Sequence, residues 1–354
     1  MLSWRTSALV LLPLMFLFAC TAQPPAPTTP ALSAASAPSI VPAAPTATNS
    51  AAQLPARGGT AVPPTAPTAA PPSTGHAITT VFLIVMENHN WSAIYQRPSA
   101  PYINKTLLPM ASYAQRFYNP PSIHPSEPNY LWLEAGTNFG ITNDRDPKSN
   151  HQSTDAHLVT LLTQAGISWK SYQEDISGKT CPLTSTGLYA PKHNPMVYFD
   201  DVTAGNDPNS ATCIAHVRPY AELATDLQNN RVARYTFITP NLCHDMHGAA
   251  QCAQSNWIAA GDTWLSTAVP AILASPAYQH GGLLLITWDE GEGSDGPIGL
   301  IALSSVAKGG GYANTIHYTH SSTLRTIQEI FDVTPLLGDA AQATDLRDLF
   351  TTFP

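Results

Sequence analysis

The stretch Val81-Phe82-Leu83-Ile84-Val85-Met86-Glu87-Asn88-His89-Asn90 decides the fold class of this chain. Its six consecutive apolar residues, rich in branched and aromatic side chains, predict a β-strand that is buried on both faces. The apolar run ends at a carboxylate, Glu87, and an amide, Asn88. Ligands of open α/β sheets bind just beyond the carboxyl ends of the strands, where these two side chains would meet a divalent cation or a phosphate. Taken alone, the stretch is also typical of a strand that ends in a solvated turn.

After this strand, predicted helices alternate with predicted strands. Residues 155–165 have the apolar spacing of a helix that ends at Gly166, and residues 167–172 follow as a strand. Helix, glycine and strand in this order are typical of the crossovers of a parallel α/β fold. Further strands are predicted at 115–118, 234–240, 282–290 and 298–303, and further helices at 91–95, 107–113, 130–135, 221–229, 262–273 and 322–331.

The beginning of the chain predicts export and a tether. Residues 1–19 hold a cation followed by an apolar run, which is typical of a signal peptide too short to span a membrane stably. The run ends Leu17-Phe18-Ala19-Cys20, which resembles a bacterial lipobox and implies a lipid anchor on Cys20 at the periplasmic or outer face of a membrane. The alternative is a secretory signal with an incidental cysteine. Residues 20–77, rich in Ala, Pro and Thr, predict a disordered tether before a domain at 78–354.

Four cysteines remain in the predicted domain: Cys181, Cys213, Cys243 and Cys252. An even number in an exported chain indicates two disulfides. We favour Cys243–Cys252 and Cys181–Cys213 among the possible pairings, because each closes a fairly short loop. None of the cysteines has the CxxC spacing of a zinc site. The formal net charge is −8 and no basic block is present, which argues against nucleic acid as a partner.

Polar clusters follow three of the predicted strands, at Glu87-Asn88, His244-Asp245-Met246-His247 and Asp289-Glu290. In a parallel sheet these ends lie along one edge, and carboxylates brought together there repel one another unless a cation holds them. Ser126 lies where a proline-rich loop enters a predicted helix, a position that favours an anion. A serine at such a position is also a common helix N-cap.

Six segments carry a resemblance to a known family, and they occur in the order Glu87-Asn88-His89, Ser126-Glu127-Pro128-Asn129-Tyr130, Lys192-His193-Asn194-Pro195, Thr239-Pro240-Asn241-Leu242-Cys243-His244-Asp245-Met246-His247, Trp288-Asp289-Glu290-Gly291 and His317-Tyr318-Thr319-His320. The ordered set resembles the bacterial phosphoesterase family, which groups secreted acid phosphatases with phospholipases C, and is closest to its phosphatidylinositol-3-phosphatase-like branch. The likeness covers nearly all of residues 78–354. It implies an α/β fold of the alkaline-phosphatase-like kind, a three-layer α/β/α sandwich around a mostly parallel sheet.

The resemblance also implies a divalent metal ion, held by four residues at the strand ends: Glu87, Asn88, Asp289 and Glu290. It places Ser126 at the family's nucleophile position, in the motif Ser/Thr-x-Pro-Asn, where the serine would form a phosphoserine. Asn129 would hydrogen-bond the phosphate oxygens. A cation would lower the pKa of the serine hydroxyl and offset charge on the phosphate oxygens, so the chemistry of these residue types agrees with the resemblance.

Five further residues receive implied roles around the phosphate. Asp245, His247 and His320 would bind a second metal or the phosphate, or protonate the leaving alkoxide, and these roles stay open. Lys192 and His193 would neutralise phosphate charge. A serine-hydrolase mechanism at Ser126 is disfavoured, because no Gly-x-Ser-x-Gly elbow is present and Glu87-Asn88 would have no role.

The leading hypothesis is therefore an exported, lipid-anchored, metal-dependent phosphomonoesterase of the acid phosphatase type that works at mildly acidic to neutral pH. Its substrate would be a small phosphate ester or a phospholipid headgroup, phosphoinositides included, and the protein would act as a monomer. One alternative is a phospholipase C that cleaves the diester on the glycerol side. The other is a non-catalytic surface lipoprotein that binds an anion in the same fold.

Overall fold

The structure is a computed structural model that describes residues 75–293 and 295–354. The predicted signal peptide, the proposed lipidation site Cys20 and the tether up to residue 74 lie outside the described residues. His76 and Ala77, which the sequence assigns to the tether, contact the domain: His76 Nδ1 lies 2.8 Å from Ile330 O, and Ala77 N donates to Pro354 O. Within the described ranges, no helix is both long and apolar enough to cross a membrane.

The regular elements of the described residues are ten strands and eleven α-helices, with short 3₁₀ and π turns between them. The strands are β1 Thr80–Met86, β2 Ser112–Ala114, β3 Phe117–Tyr118, β4 Trp169–Gln173, β5 Val217–Pro219, β6 Tyr235–Thr239, β7 Gly282–Trp288, β8 Leu300–Ser304, β9 Tyr312–Asn314 and β10 Tyr318–Thr319. The helices are α1 Trp91–Ile94, α2 Leu108–Met110, α3 Ser126–Ala135, α4 Pro147–Asn150, α5 Leu158–Gln164, α6 Asp200–Thr203, α7 Ala211–His216, α8 Leu223–Gln228, α9 Trp257–Leu273, α10 Pro276–Gln279 and α11 His320–Phe331.

The main sheet has the strand order β5-β4-β6-β1-β7-β8-β2-β9. β5, β4, β6, β1 and β7 all run parallel, whereas β8 runs antiparallel to both of its neighbours. Strand β1 lies inside the sheet with Met86 opposite Trp288 and Ile84 opposite Ile238. The carboxyl ends of β6, β1 and β7 therefore meet at one edge. The expected α/β fold with a mostly parallel sheet is confirmed.

Helices cover both faces of this sheet. All seven residues of β1 are buried although their side chains alternate between the two faces, so neither face of the central strand is open to solvent. Helices α3, α5 and α11 pack on one another, and α8, α9 and α10 form a second packed group. Two helical groups and one covered sheet give the layered arrangement that the sequence predicts.

The predicted helix at 107–113 is wrong in its second half. A π turn at Ile103–Leu107 leads into the short helix α2, and the chain then becomes the strand β2. β2 fills a gap between β8 and β9, and the Ser112 hydroxyl accepts a hydrogen bond from Gly309 N at 2.9 Å. Pairing with distant strands outweighs the local helical pattern, which sequence periodicity does not reveal.

Both favoured disulfides are confirmed, with Cα–Cα distances of 5.4 Å in each. Cys243–Cys252 closes the loop that follows β6. Cys181–Cys213 ties the long loop after β4 to helix α7. Each bridge thus stabilises a loop that leaves the edge of the sheet where the polar strand ends meet.

A buried histidine joins helix α3 to the helices beside it. His157 Nδ1 lies 3.0 Å from the Glu134 carboxylate, and its Nε2 lies 3.0 Å from the Asp201 carboxylate. The imidazole also stacks on Phe199, with ring centroids 3.8 Å apart. Burial by itself lowers the pKa of His157, but the two carboxylates outweigh that effect and raise the pKa to about 9. The imidazolium therefore neutralises Glu134, which is fully buried in α3.

We expect His157→Ala to destabilise the protein by about 3–5 kcal/mol, because it leaves the Glu134 carboxylate buried without a counter-ion. The pKa of His157 is raised on folding, so its contribution to stability is complete below its ordinary pKa of 6.5 and is lost as the pH rises through about 9. Urea unfolding of both proteins at several pH values measures this. The difference in unfolding free energy should shrink from pH 6 to pH 9.5, and a constant difference would contradict the assignment. The double variant His157→Ala/Glu134→Gln should recover part of the loss.

Candidate active site

The site is built where three parallel strands end. Glu87, the first residue after β1, donates its backbone N–H to Asp245 O at 2.7 Å. Asp289, the first residue after β7, donates its N–H to Met86 O at 2.9 Å. The backbone therefore holds the acidic groups that follow β1, β6 and β7 next to one another. The side chains of Glu87, Asp245 and Asp289 are all fully buried.

Ser126 lies among these carboxylates. It is the first residue of α3, as the sequence predicts, and Pro125 precedes it as the helix cap. Its hydroxyl donates to Glu87 Oε2 at 3.0 Å, across 39 residues of sequence. The next residue, Glu127, points away from the strand ends, because Asn150 donates to both of its carboxylate oxygens at 2.9 and 3.1 Å. The serine hydroxyl is thus oriented by the carboxylate that follows β1.

Amide groups connect the two acidic strand ends. Asn88 donates its backbone N–H to Asp289 Oδ1 at 2.9 Å and its side-chain amide to Glu290 Oε1 at 2.6 Å. Asn129 Nδ2 donates to Glu290 Oε2 at 3.0 Å, and also lies within hydrogen-bond distance of Ile123 O and Pro125 O. The amide nitrogen of Asn129 therefore holds the loop before α3 against Glu290.

Burial and mutual repulsion perturb the pKa values of these carboxyl groups. Burial, together with the nearby charges of Glu87 and Glu290, raises the pKa of Asp289 well above its usual range. Burial also raises the pKa of Glu290 to about 7. Burial alone raises the pKa of Glu87 as well, but His193 and other cationic groups outweigh it and hold the pKa at about 2. Burial and repulsion by neighbouring carboxylates thus disfavour the charged forms of Asp289 and Glu290, an effect that a bound cation would offset.

His193 lies between two of the carboxylates. Its Nε2 is 3.2 Å from Glu87 Oε1, its Nδ1 is 3.3 Å from Asp245 Oδ2, and its ring stacks on Tyr130 of α3 at 5.2 Å. Burial by itself lowers the pKa of His193, but Glu87 and Asp245 raise it to about 9. The structure thus places this predicted phosphate-facing residue behind the carboxylates, as a buried cation.

Of the two predicted phosphate-neutralising residues, Lys192 is partly exposed to solvent, whereas His193 is buried. Its Nζ lies 3.0 Å from Asp144 Oδ2 and 3.5 Å from His247 Nε2. Burial lowers the pKa of Lys192, but Glu87 and Asp144 outweigh burial and keep the pKa above its ordinary value. His247 Nδ1 contacts Gly248 O at 2.8 Å, which leaves Nε2 on the side of Lys192. Lys192 and His247 are therefore neighbours at the partly exposed side of the site.

His320 takes a different place. It is fully buried at the start of α11, and its Nε2 contacts the backbone oxygen of Asp289 at 2.5 Å. Burial lowers the pKa of His320 to about 4, so the imidazole is neutral at pH 7. The structure therefore brings His320 to the backbone at the end of β7. The remaining predicted residue, Asp245, accepts a hydrogen bond from His247 N at 2.8 Å.

Sequence reasoning missed His124. Its Nδ1 lies 2.5 Å from Glu290 Oε2 and its Nε2 lies 2.7 Å from Asp295 Oδ1, so the ring bridges the loop before α3 and the loop after β7. The only signal was its position two residues before Ser126. Nothing in the local sequence indicates a partner 166 residues away.

The donor atoms suit a divalent cation. Asp289 Oδ2 and Asn129 Oδ1 are buried without a hydrogen-bond partner among the described residues, and Glu87 Oε1 has only the off-axis contact with His193. Hard, negatively charged oxygens are the ligands that divalent cations prefer. No group of three His, Cys, Asp or Glu in the described ranges is arranged as a complete metal site. Support for a cation thus comes from the chemistry of the donors and from their unpaired oxygens.

Comparisons of the sequence match the chain to one described family and to curated enzymes. A sequence model described as the phosphoesterase family matches residues 93–334. The chain is 33% identical over 272 residues to the phosphatidylinositol-3-phosphatase of Mycobacterium tuberculosis. The alignment covers 76% of this chain and 82% of that protein. The chain is also 28% identical over 275 residues to a probable acid phosphatase of Kluyveromyces lactis. That alignment covers 75% of this chain and 60% of the other protein.

A comparison of structures shows the same fold in a distant protein. A protein of the alkaline phosphatase superfamily from Vibrio parahaemolyticus superposes with a TM-score of 0.50 at 10% sequence identity, over 75% of this chain and 69% of that one. At this identity the similarity shows the fold alone. It agrees with the α/β architecture that the sequence predicts.

Proposed function

The chain belongs to the phosphoesterase family, and on that premise we propose that it is a phosphomonoesterase of the acid phosphatase type with Ser126 as its nucleophile. One observation carries the assignment of the serine. The Ser126 hydroxyl lies at the beginning of a ten-residue helix and donates to a buried carboxylate 3.0 Å away. Peptide N–H groups and the helix dipole at such a position stabilise a bound phosphate.

In this mechanism the Ser126 hydroxyl releases its proton to water and its oxygen attacks phosphorus, the phosphorus–oxygen bond of the ester breaks and the alcohol leaves, and water then hydrolyses the phosphoserine to free serine and inorganic phosphate. Glu87, with a pKa of about 2, is too weak a base to remove the serine proton efficiently, so its role is to orient the hydroxyl. Lys192 would neutralise phosphate oxygens, and His247 beside it would protonate the leaving alkoxide. His193 would keep Glu87 and Asp245 charged and in place.

A divalent cation would be held by Glu87, Asn88, Asp289 and Glu290, and when bound it would supply the positive charge that activates a hydroxyl group. The unpaired Oδ2 of Asp289 supports this assignment, and the unpaired Oδ1 of Asn129 belongs to a residue that contacts Glu290. Asn129 and His124 would orient Glu290 from opposite loops. Asp245 would act through His193 and through the backbone of His247.

We also propose that the protein is exported and anchored to a membrane through Cys20. The support is the resemblance of Leu17-Phe18-Ala19-Cys20 to a lipobox and the composition of the tether. In cells fed a labelled fatty acid, the wild-type chain should become labelled and Cys20→Ser should not. An unlabelled wild-type chain would favour the ordinary secretory signal.

Removal of divalent metal should abolish most of the activity. We expect hydrolysis of p-nitrophenyl phosphate to fall at least about 100-fold after chelation and dialysis, because buried carboxylates would lose their counter-ion and the hydroxyl its activating charge. Addition of single metals, with the metal content measured on the same samples, should restore it. Full activity in metal-free protein would show that the cationic side chains suffice.

The phospholipase C alternative is tested by its product. The same preparation is incubated with phosphatidylcholine vesicles and with phosphate monoesters, and both diacylglycerol and inorganic phosphate are measured. Phosphate release from the monoesters alone supports the proposal. Diacylglycerol release supports a phosphodiesterase, and absence of both products would support the non-catalytic alternative.

A further inference from the structure

Trp257 is a large apolar side chain that remains 42% exposed. It is the first residue of α9, the helix that joins the end of β6 to β7. Both strands run parallel to β1, so a crossover helix between them must begin at the edge where β6 ends. Trp257 therefore lies at the edge of the sheet that carries the candidate active site.

The indole packs against Gly248, the residue that follows His247 of the site. An added β-carbon on Gly248 would fall 2.1 Å from two ring carbons of Trp257, so this approach requires glycine. Gly248 has a positive φ of 78° and its carbonyl oxygen contacts His247 Nδ1 at 2.8 Å. One residue thus separates the indole from the histidine that stands beside Lys192.

The chain segment that carries the indole is neutral, and a disulfide and a helix cap hold it in place. Residues 248–261 contain no Asp, Glu, Lys, Arg or His, although the chain carries a net charge of −8. The Cys243–Cys252 disulfide closes the loop in front of the helix, and the Asn256 side chain caps the helix by accepting from Ala259 N at 3.1 Å. Residues 248–261 therefore present an exposed indole and no charged side chain of their own.

We infer that Trp257 is a specificity-determining residue that stacks on the alcohol part of the substrate. The inference rests on the proposed function and deepens it: the preferred substrates are phosphate monoesters whose alcohol carries a flat, uncharged ring. A second phosphate or a carboxylate on that alcohol would find no cation among residues 248–261. An exposed indole binds such rings through its π face, independently of their hydrogen-bonding pattern.

The test compares two esters whose leaving groups are both primary alkoxides. Adenosine 5′-monophosphate and glycerol 3-phosphate are both monoesters of primary alcohols, so they differ in the ring and not in the reactivity of the ester bond. Trp257→Ala should lower kcat/KM about 10-fold for the nucleotide, mainly through KM, and less than about 2-fold for glycerol 3-phosphate. Trp257→Phe should keep most of the activity on the nucleotide. Met110→Ala, which removes an apolar side chain that is 44% exposed, is the matched control and should leave both esters unaffected.

Three results would overturn the inference: an equal loss on both esters, no loss on the nucleotide, or a loss confined to phosphatidylinositol 3-phosphate in phosphatidylcholine vesicles. The last result would assign the indole to the lipid surface. Thermal unfolding of each variant separates a folding defect from a binding defect. If the wild-type protein hydrolyses neither ester nor p-nitrophenyl phosphate, the proposed function itself is wrong and this inference falls with it.

Discussion

Ser126→Ala is expected to lower kcat for p-nitrophenyl phosphate at least about 1,000-fold while the protein stays folded, because the variant loses the oxygen that would accept the phosphoryl group. The hydroxyl makes one hydrogen bond, to a carboxylate that His193 still neutralises, so little stability depends on it. Acid quenching of the wild-type enzyme with a radiolabelled substrate should leave label on Ser126, and the variant should remain unlabelled.

Ser122→Ala is the matched control for this experiment. Ser122 lies in the same loop, four residues before Ser126, and contacts Asp295 through its backbone N–H only. It should keep near wild-type activity. A fully active Ser126→Ala enzyme would show that the nucleophile is elsewhere. Label on another residue in the wild-type enzyme would lead to the same conclusion.

His193→Ala is expected to affect both activity and stability. It removes the cation shared by Glu87 and Asp245, which are fully buried, and should destabilise the fold by about 3–5 kcal/mol. The pKa of Glu87 should rise and the Ser126 hydroxyl should lose its fixed acceptor, so kcat/KM should fall at least about 100-fold. The pKa of His193 is raised on folding to about 9, so this stabilisation is complete below pH 6.5 and lost as the pH rises through about 9.

A second substitution separates the two effects. His193→Ala/Asp245→Asn removes one of the unpaired carboxylates and should recover part of the stability but little of the activity. His317→Ala is the control, because His317 is exposed and stacks on Tyr118 away from the carboxylates. Urea unfolding and steady-state kinetics on the same samples measure both quantities. Wild-type stability in His193→Ala would contradict the role as buried counter-ion.

Much of this arrangement could be predicted from the sequence. The apolar run before Glu87 identified a central strand, and the acidic ends of β1 and β7 indicated where the polar groups meet. A helix entered by the loop at Ser126 was also predicted, although α3 begins four residues before the predicted 130–135, and so were both disulfides. These features depend on local patterns: burial on two faces, a proline-rich loop before a helix, and short spacings between cysteines.

Other features depend on distant contacts and could not be predicted. β2 is a strand because β8 and β9 flank it, not because of its own residues. The orientation of His193 between two carboxylates requires knowledge of which loop crosses which strand end. His124 bridges two loops that are far apart in the sequence. In each case the side chain's neighbours, not its type, determine its role.

Helix α3 contacts two titrating histidines at different points along its length. Tyr130 stacks on His193, and Glu134 pairs with His157. Both imidazoles have a pKa of about 9 and so lose their protons over the same interval. Helix α3, which carries the proposed nucleophile Ser126, would then lose contact with a charged histidine at its middle and at its carboxyl end together. We therefore expect both histidine–carboxylate pairs beside α3 to weaken together above about pH 9, which suits a protein that works in acidic or neutral surroundings.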